Sequence, residues 1–140
     1  FTDFLDQAHH NPQALVCGYP IYDQTVPLSR LWGRELTNFW VHVNTRSKAL
    51  RDAMCGFRVY PLAQTLPVLP SVKTRRMDFD PDIVVRLIWA GVTVINRPVR
   101  VTYPKDGISH FRGFSDNMRI SRLHAGHFCT MLLRRMGLAK

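Results

Sequence analysis

One short segment of the chain carries an acid, a glycine and a guanidinium within seven positions: Asp52, Gly56 and Arg58. A carboxylate can accept a proton or hold a cation, and an arginine can bind a phosphate through two parallel hydrogen bonds. Gly56 allows close backbone approach or a positive φ, and the residues that follow it have strand character. The sequence therefore predicts a loop that enters a short strand over 52–60, with Asp52 and Arg58 at its mouth, where α/β proteins bind ligands.

The residue types alone leave the roles of this acid and this arginine open. Asp52 is either a functional carboxylate or a loop aspartate that caps a turn or pairs with Arg51 or Arg58. Arg58 either binds a phosphate or holds Asp52 in a structural ion pair.

Two further cationic candidates, Arg30 and Arg34, lie one helical turn apart near the start of a predicted helix. They are either phosphate-binding groups or solvated surface residues, for which Glu35 is a nearby partner.

Two histidine motifs have spacings that can be compared with metal sites. His124 and His127 are three residues apart and precede Cys129, but the glutamate of the H-E-x-x-H motif is missing. We assign no metal to this group, and none to the adjacent His9 and His10.

The composition indicates one globular domain with a basic surface. The 140 residues are 46% hydrophobic and 21% charged, which is ordinary for a folded domain. Three widely spaced cysteines argue against a disulfide framework and for a reducing compartment. No apolar run is long enough to span a bilayer, and no signal peptide is recognisable. The chain begins with Phe1 rather than methionine, from which we expect a fragment.

The net charge of +9 is concentrated in the last third of the chain. Residues 97–140 hold nine Lys and Arg and two acidic residues. Such a field favours an anionic partner, which is a phosphate-bearing substrate, an acidic membrane surface or nucleic acid.

Strand and helix patterns alternate along the chain, which predicts an α/β fold with an incomplete sheet. The expected helices cover 2–10, 29–47, 80–91 and 115–136, and the expected strands cover 14–17, 52–60, 92–95 and 99–103. Gly18 closes the first strand, and Pro98 interrupts the last two. The helix over 29–47 has one apolar face, made of Trp32, Leu36, Phe39, Trp40 and Val43.

The last helix is basic and amphipathic in composition. Apolar side chains such as Met118, Phe128 and Leu132 alternate with arginines such as Arg119 and Arg122. It either lies on an anionic membrane surface or packs on its own domain with a solvated basic side.

Five segments, in order along the chain, resemble the family-2 glycosyltransferases, especially the branch that is similar to dolichyl-phosphate-mannose synthase. The segment over 52–60 resembles that family's D-x-x-x-G-F-R-x-Y motif. The other four are Leu15–Gly18, Met77–Arg86, Asn96–Val99 and Asp106–Phe111. No single segment is specific, but their shared order is.

The resemblance implies the C-terminal, acceptor-side half of a Rossmann-like domain with the GT-A fold over 1–112, followed by an amphipathic helix over 113–140 that is interfacial in the membrane hypothesis. It implies transfer of a sugar from a nucleotide-sugar donor to a lipid-linked or membrane-proximal acceptor, in the cytoplasm or at the inner face of the cytoplasmic membrane. The strands that bind the nucleotide, and the D-x-D ligands of a divalent metal (Mg or Mn), would belong to the other half. The chain alone is therefore expected to be inactive.

The resemblance also implies a role for individual residues. Asp52 is the expected catalytic base, or it only positions groups when the acceptor is a lipid phosphate, because an anionic acceptor needs little help in losing a proton. Arg30, Arg34, Arg58, Lys105 and Ser109 are expected at the substrate phosphates, and Gly18, Gly56 and Gly107 in the backbone of the site. The basic residue that relatives carry before Gly107 is replaced by Pro104, with Lys105 beside it.

The acids at 78 and 80 also spell D-x-D, but we do not interpret them as the metal motif. Asp80-Pro81 is typical of a helix start, where acids favour the positive end of the helix dipole.

The alternative to an enzyme is a basic, non-enzymatic module that binds nucleic acid or an anionic membrane surface. Because no aromatic and glycine signature of RNA-binding domains is present, we expect no nucleic-acid partner.

Overall fold

The computed structural model describes residues 2–22, 26, 28–102 and 113–138, and only the backbone of residues 29, 30 and 113. Within these ranges the chain forms helices and strands in mixed order. They are α1 (Thr2–His10), β1 (Leu15–Tyr22), α2 (Leu28–Thr45), β2 (Arg58–Val59), α3 (Leu62–Thr65), a 3-10 turn (Leu69–Ser71), α4 (Phe79–Trp89), β3 (Val94–Val101) and α5 (Gly113–Arg135).

The three strands form one mixed sheet in the order β2-β1-β3. β1 and β3 are parallel and stay in register from Leu15 opposite Val94 to Tyr22 opposite Val101. β2 is antiparallel to β1, with Val16 opposite Val59. A parallel pair needs a long crossover, and here the connection contains α2 and α4. This arrangement confirms the predicted α/β class.

The core lies between the sheet and two helices. Leu15 and Cys17 of β1 pack with Val41 of α2 and with a continuous apolar run of α4, which comprises Ile83, Val84, Val85 and Leu87. Such a run, buried on several sides, is typical of a central helix. α4 thereby holds α2 in place beside the sheet.

β1 is longer than the sequence indicates, since it continues through Gly18 and Pro20 to Tyr22. Gly18 does not close the strand. A Cβ at this position would lie 2.8 Å from Val99 Cγ2 and 2.9 Å from the Phe57 carbonyl oxygen. Glycine is therefore required here because β1 packs closely against β3 and against the loop before β2, and not because the chain turns.

β3 is one strand where two are predicted, and it runs through Pro98. Among the described residues β3 pairs only with β1, so it lies at an edge of the sheet, where proline is tolerated. The predicted strand over 52–60 is reduced to two residues, Arg58–Val59, because the side chain of Asp52 bonds the backbone in front of them.

The predicted apolar face of α2 is mostly exposed, and only Trp40 and Val43 of its five residues are half-buried. Trp32, Leu36 and Phe39 are 77%, 60% and 57% exposed. The buried side of the helix instead carries Thr37, Asn38, Val41 and Asn44, and the two asparagines make specific hydrogen bonds. The amide oxygen of Asn38 accepts the N–H of Ala53, and the amide nitrogen of Asn44 donates to the carbonyl of His124.

α5 packs against α2 and α4, so it is joined to the rest of the described fold. Arg134 donates to the carbonyl of Trp89, the last residue of α4. In the parts of the chain that the structure describes, no helix combines the length and the apolar character that crossing a membrane requires.

Candidate functional site

Asp52 is a buried carboxylate, only 4% exposed, in the loop before β2. The Nη1 of Arg34 donates to both of its oxygens, at 2.7 Å to Oδ1 and 2.8 Å to Oδ2. The backbone N–H groups of Met54 and Cys55 also donate to Oδ1, at 2.9 and 2.7 Å. Asp52 thus folds its own loop into an Asx turn and holds a guanidinium from α2 at the same time.

The pair lies at the carboxyl end of β1. β2 runs antiparallel to β1, so the residues in front of β2 lie beside the second half of β1, and the N–H of Gly18 donates to the carbonyl of Phe57 at 2.8 Å. The guanidinium carbon of Arg34 lies 5.6 Å from the ring centroid of Tyr22, the last residue of β1. Open α/β sheets bind their ligands at this end of their parallel strands.

The side chain of Arg34 is 19% exposed and that of Asp52 is 5% exposed. The cation is therefore the outer member of the pair and the carboxylate the inner one. This is the geometry of a positioned arginine that can offer positive charge to an anion at the sheet end.

Two asparagines fix the loop from neighbouring elements, and the sequence analysis missed both. Asn38 of α2 accepts the N–H of Ala53. On β3, Asn96 accepts the N–H of Arg51 at 2.9 Å and donates to the carbonyl of Ala49 at 2.7 Å. An asparagine on a predicted helix or strand gives no local signal that it serves a distant loop.

The side chain of Arg58 is fully buried and pairs with Asp80, while Asp52 pairs with Arg34, so the predicted ion pair between Asp52 and Arg58 is wrong. The Nη2 of Arg58 donates to the carbonyl of Ala53 at 2.7 Å, and its Nη1 donates to Oδ1 of Asp80 at 3.1 Å. A side chain with no exposed surface does not reach a ligand in this arrangement. Arg58 therefore ties the loop to the start of α4, and its contacts are structural.

Gly56 is exposed, and a Cβ there would be 3.9 Å from Oδ2 of Asp80, an ordinary contact. Its φ is not positive, in contrast to Gly91 and Gly137. Neither the backbone conformation nor the space around position 56 therefore requires a glycine, in contrast to the prediction.

Several predicted site residues lie outside what the structure describes. Lys105, Gly107 and Ser109 fall in the segment between the described ranges, and for Arg30 only the backbone, within α2, is described. Their expected roles at the substrate phosphates stay predictions.

The three acids around the start of α4 have partners within the protein. The predicted helix start with acids in its first turn is confirmed, since α4 begins at Phe79 and carries Asp80 and Asp82 there, although Pro81 stands third and not first. Asp78 accepts the N–H of Arg76 and makes no side-chain cap. Asp80 pairs with Arg58. Across the described ranges, no three His, Cys, Asp or Glu side chains come together as metal ligands would. The resemblance assigns the ligands of the divalent metal to the other half of the domain, and that assignment stays a prediction.

The histidines of α5 form a second buried polar group. The Nε2 of His127 donates to Oδ1 of Asp82 at 2.9 Å. His124 is buried, and neither of its ring nitrogens has a hydrogen-bond partner among the described residues. Burial, and to a lesser extent the neighbouring His127, lowers the pKa of His124 to about 4. Burial raises the pKa of Asp82, but hydrogen bonds outweigh it and the net pKa is lowered; the donors are His127, Arg86 and Thr74.

These contacts give the histidines a structural role in docking α5 onto α4. The thiol of Cys17 is likewise no candidate for chemistry, because burial raises its pKa to about 12 and keeps it protonated.

No protein-family model, no curated protein and no solved structure matches this chain.

Proposed function

We propose that this chain is the acceptor-side half of a glycosyltransferase domain, which receives a sugar from a nucleotide-sugar donor onto an anionic, lipid-linked acceptor. The observation that carries the proposal is the pair of Asp52 and Arg34 at the carboxyl end of the parallel strands. The five sequence segments that resemble family-2 glycosyltransferases support the same assignment, together with the GT-A-like order of elements that they imply.

In this proposal Arg34 faces the phosphate of the acceptor. A guanidinium presents its donors in a planar fork that suits a phosphate, and its outer position beside Tyr22 leaves part of its surface exposed. A phosphate acceptor is already an anion and needs little general-base help.

Asp52 then acts as a positioning residue. Four hydrogen bonds from Arg34, Met54 and Cys55 already end on its two oxygens. These donors surround the carboxylate, so one of them must move aside before an acceptor hydroxyl can reach it. The contacts therefore favour orientation of Arg34 over proton transfer.

The donor is proposed to bind to the other half of the domain, which would supply the nucleotide-binding strands and the ligands of the divalent metal. In the described part of the chain, β2 and β3 pair with β1 alone, so each outer strand has one edge without a paired strand.

The experiment is a transfer assay on the intact protein with a panel of radiolabelled nucleotide sugars and a polyprenyl phosphate as the acceptor. Sugar transfer to the lipid is expected. Replacing Arg34→Gln removes the charge that faces the acceptor, so the acceptor KM rises by about tenfold or more, with a smaller change in kcat. Arg75→Gln, at an exposed arginine, is the matched control and leaves both constants unchanged.

Absence of transfer from every nucleotide sugar would overturn the proposal. Salt-sensitive binding of oligonucleotides, unaffected by nucleotide sugars, would instead favour the basic nucleic-acid module.

A further inference from the structure

The solvent side of α2 is apolar along most of the helix. Leu28, Trp32, Leu36 and Phe39 follow one another at steps of four, four and three residues and are all exposed. Thr37, Val41 and Asn44, which lie on the other side, are buried. The usual pattern of a surface helix, apolar inward and polar outward, is reversed here.

α5 shows the same reversal. Its buried residues, spaced by four, four and three, are largely polar: Asp116, Ile120, His124 and His127. Its exposed large apolar residues, which continue just past the end of the helix, are Phe114, Met118, Phe128, Leu132, Leu133, Met136 and Leu138. Two neighbouring helices thus both turn apolar side chains to the outside.

The two outward faces adjoin, and the cleft between the helices is filled. The ring of Trp40 on α2 stacks on that of His124, with 6.5 Å between the ring centroids, and meets the ring of Phe128 edge-on, with 6.3 Å between the centroids. The rings of Phe39 and Trp40 also meet edge-to-face, with 5.6 Å between their centroids. The apolar groups therefore stand on the crests of two helices and do not line a groove that a partner helix would enter.

The rim of this surface is basic along α5, whereas α2 places one exposed acid, Glu35, beside its apolar face. Arg119, Arg122 and Arg135 on α5 are exposed. The acid of α5 within its described residues, Asp116, is buried. Apolar crests flanked by arginines match an anionic lipid surface, where the apolar side chains enter the acyl boundary and the guanidinium groups meet the headgroups.

We propose that α2 and α5 together form a docking surface for an anionic membrane, with both helices lying flat in the interface. This inference does not rest on the proposed function, because it uses neither Asp52 nor Arg34. A second copy of the chain fits less well, since face-to-face pairing would bring two sets of arginines together. The filled cleft argues against a helical protein partner.

The test is co-sedimentation of the protein with vesicles of phosphatidylcholine alone and of equal parts phosphatidylcholine and phosphatidylglycerol. Binding to the mixed vesicles is expected, with little binding to phosphatidylcholine alone and with weakening by salt. Two double variants remove crest residues, Trp32→Gln with Leu36→Gln on α2 and Met118→Gln with Leu132→Gln on α5. Each is expected to lower the partition constant by about tenfold or more, because each removes two apolar side chains from the interface.

The matched control is Leu62→Gln with Leu66→Gln, at the start of α3 and just after its end. It removes two leucines of similar exposure, 69% and 59%, and leaves binding unchanged. Trp32 is the exposed one of the three tryptophans, so quenching of tryptophan fluorescence by brominated lipid is expected to fall most in its variant. Circular dichroism checks the fold, which exposed substitutions leave intact.

The proposal is overturned if the protein does not co-sediment with the anionic vesicles, or if only the α5 variant loses binding. It is also overturned if the crest variants change the oligomeric state and not the lipid binding.

Discussion

At the scale of single residues, Gly18 is the position where the packing around the site leaves no space. The missing Cβ would meet Val99 on one side and the carbonyl of Phe57 on the other, both within 3.0 Å. The loop that carries Asp52 is drawn against β1 by the same contact, because the N–H of Gly18 donates to that carbonyl. The loop can therefore approach β1 this closely only because residue 18 is a glycine.

Replacing Gly18→Ala is expected to lower the free energy of unfolding by about 1–3 kcal/mol, because strand or loop must shift to admit a methyl group. Urea unfolding measures this change. Gly126→Ala on α5, where a Cβ meets nothing within 4 Å, is the control and should gain up to about 1 kcal/mol in helix propensity. Equal midpoints for Gly18→Ala and the wild type would contradict the packing account.

The site was predictable at this scale only in part. Residue type pointed to Asp52 and Arg34, but nothing in the sequence paired them, since ion pairs between distant segments depend on the tertiary fold. Arg58 was predicted at the mouth of a strand and is found buried against Asp80. The orienting amides of Asn38 and Asn96 left no local pattern at all.

At the scale of elements, α5 is attached through buried polar contacts where an apolar seam would be usual. His127 reaches Asp82 on α4, Asn44 on α2 reaches the backbone of His124, and Arg76 approaches Asp116 at 3.6 Å. Such contacts fix the helix in one orientation and leave its apolar residues on the outside.

His124 makes this attachment sensitive to acid. Its pKa is about 4 in the folded protein and about 6.5 when unfolded, so between these values the unfolded chain binds more protons. Stability is therefore complete above about pH 6.5 and falls as the pH drops toward 4, by about 3 kcal/mol in all.

Urea unfolding at pH 7 and pH 5 measures the effect. His124→Phe, which keeps a buried ring without the titrating group, should remove most of the difference between the two pH values. The exposed His9→Gln serves as the control and should retain it. A pH dependence that survives in His124→Phe would assign the effect to other groups.

Helix positions were largely predictable, because prolines, glycines and first-turn acids mark their ends. The predicted helix over 2–10 is observed, and the others differ by one or two residues at each end. Which side of each helix is buried was not predictable. The apolar residues of α2 have a regular helical spacing, but this periodicity shows only that one face is apolar and not what covers that face.

At the scale of the whole molecule, the described sheet is small and packs with α2 and α4 around a modest core, to which α5 contributes no described residue. The candidate site lies at the carboxyl end of the parallel strands, and the apolar crests lie on the outer side of α2, the helix that also supplies Arg34. One helix thus contributes to both surfaces, which is the arrangement that an enzyme with a lipid-linked acceptor would need.

The most direct test of this account is a double-mutant cycle on sugar transfer by the intact protein, with Asp52→Asn, Arg34→Gln and the two combined. If Asp52 works through Arg34, each single variant loses about tenfold or more in kcat/KM. The combined variant then has a kcat/KM no lower than that of the less active single variant. Independent, multiplying losses, or near-normal transfer by a folded Asp52→Asn variant, would contradict the claim that this pair forms the acceptor site.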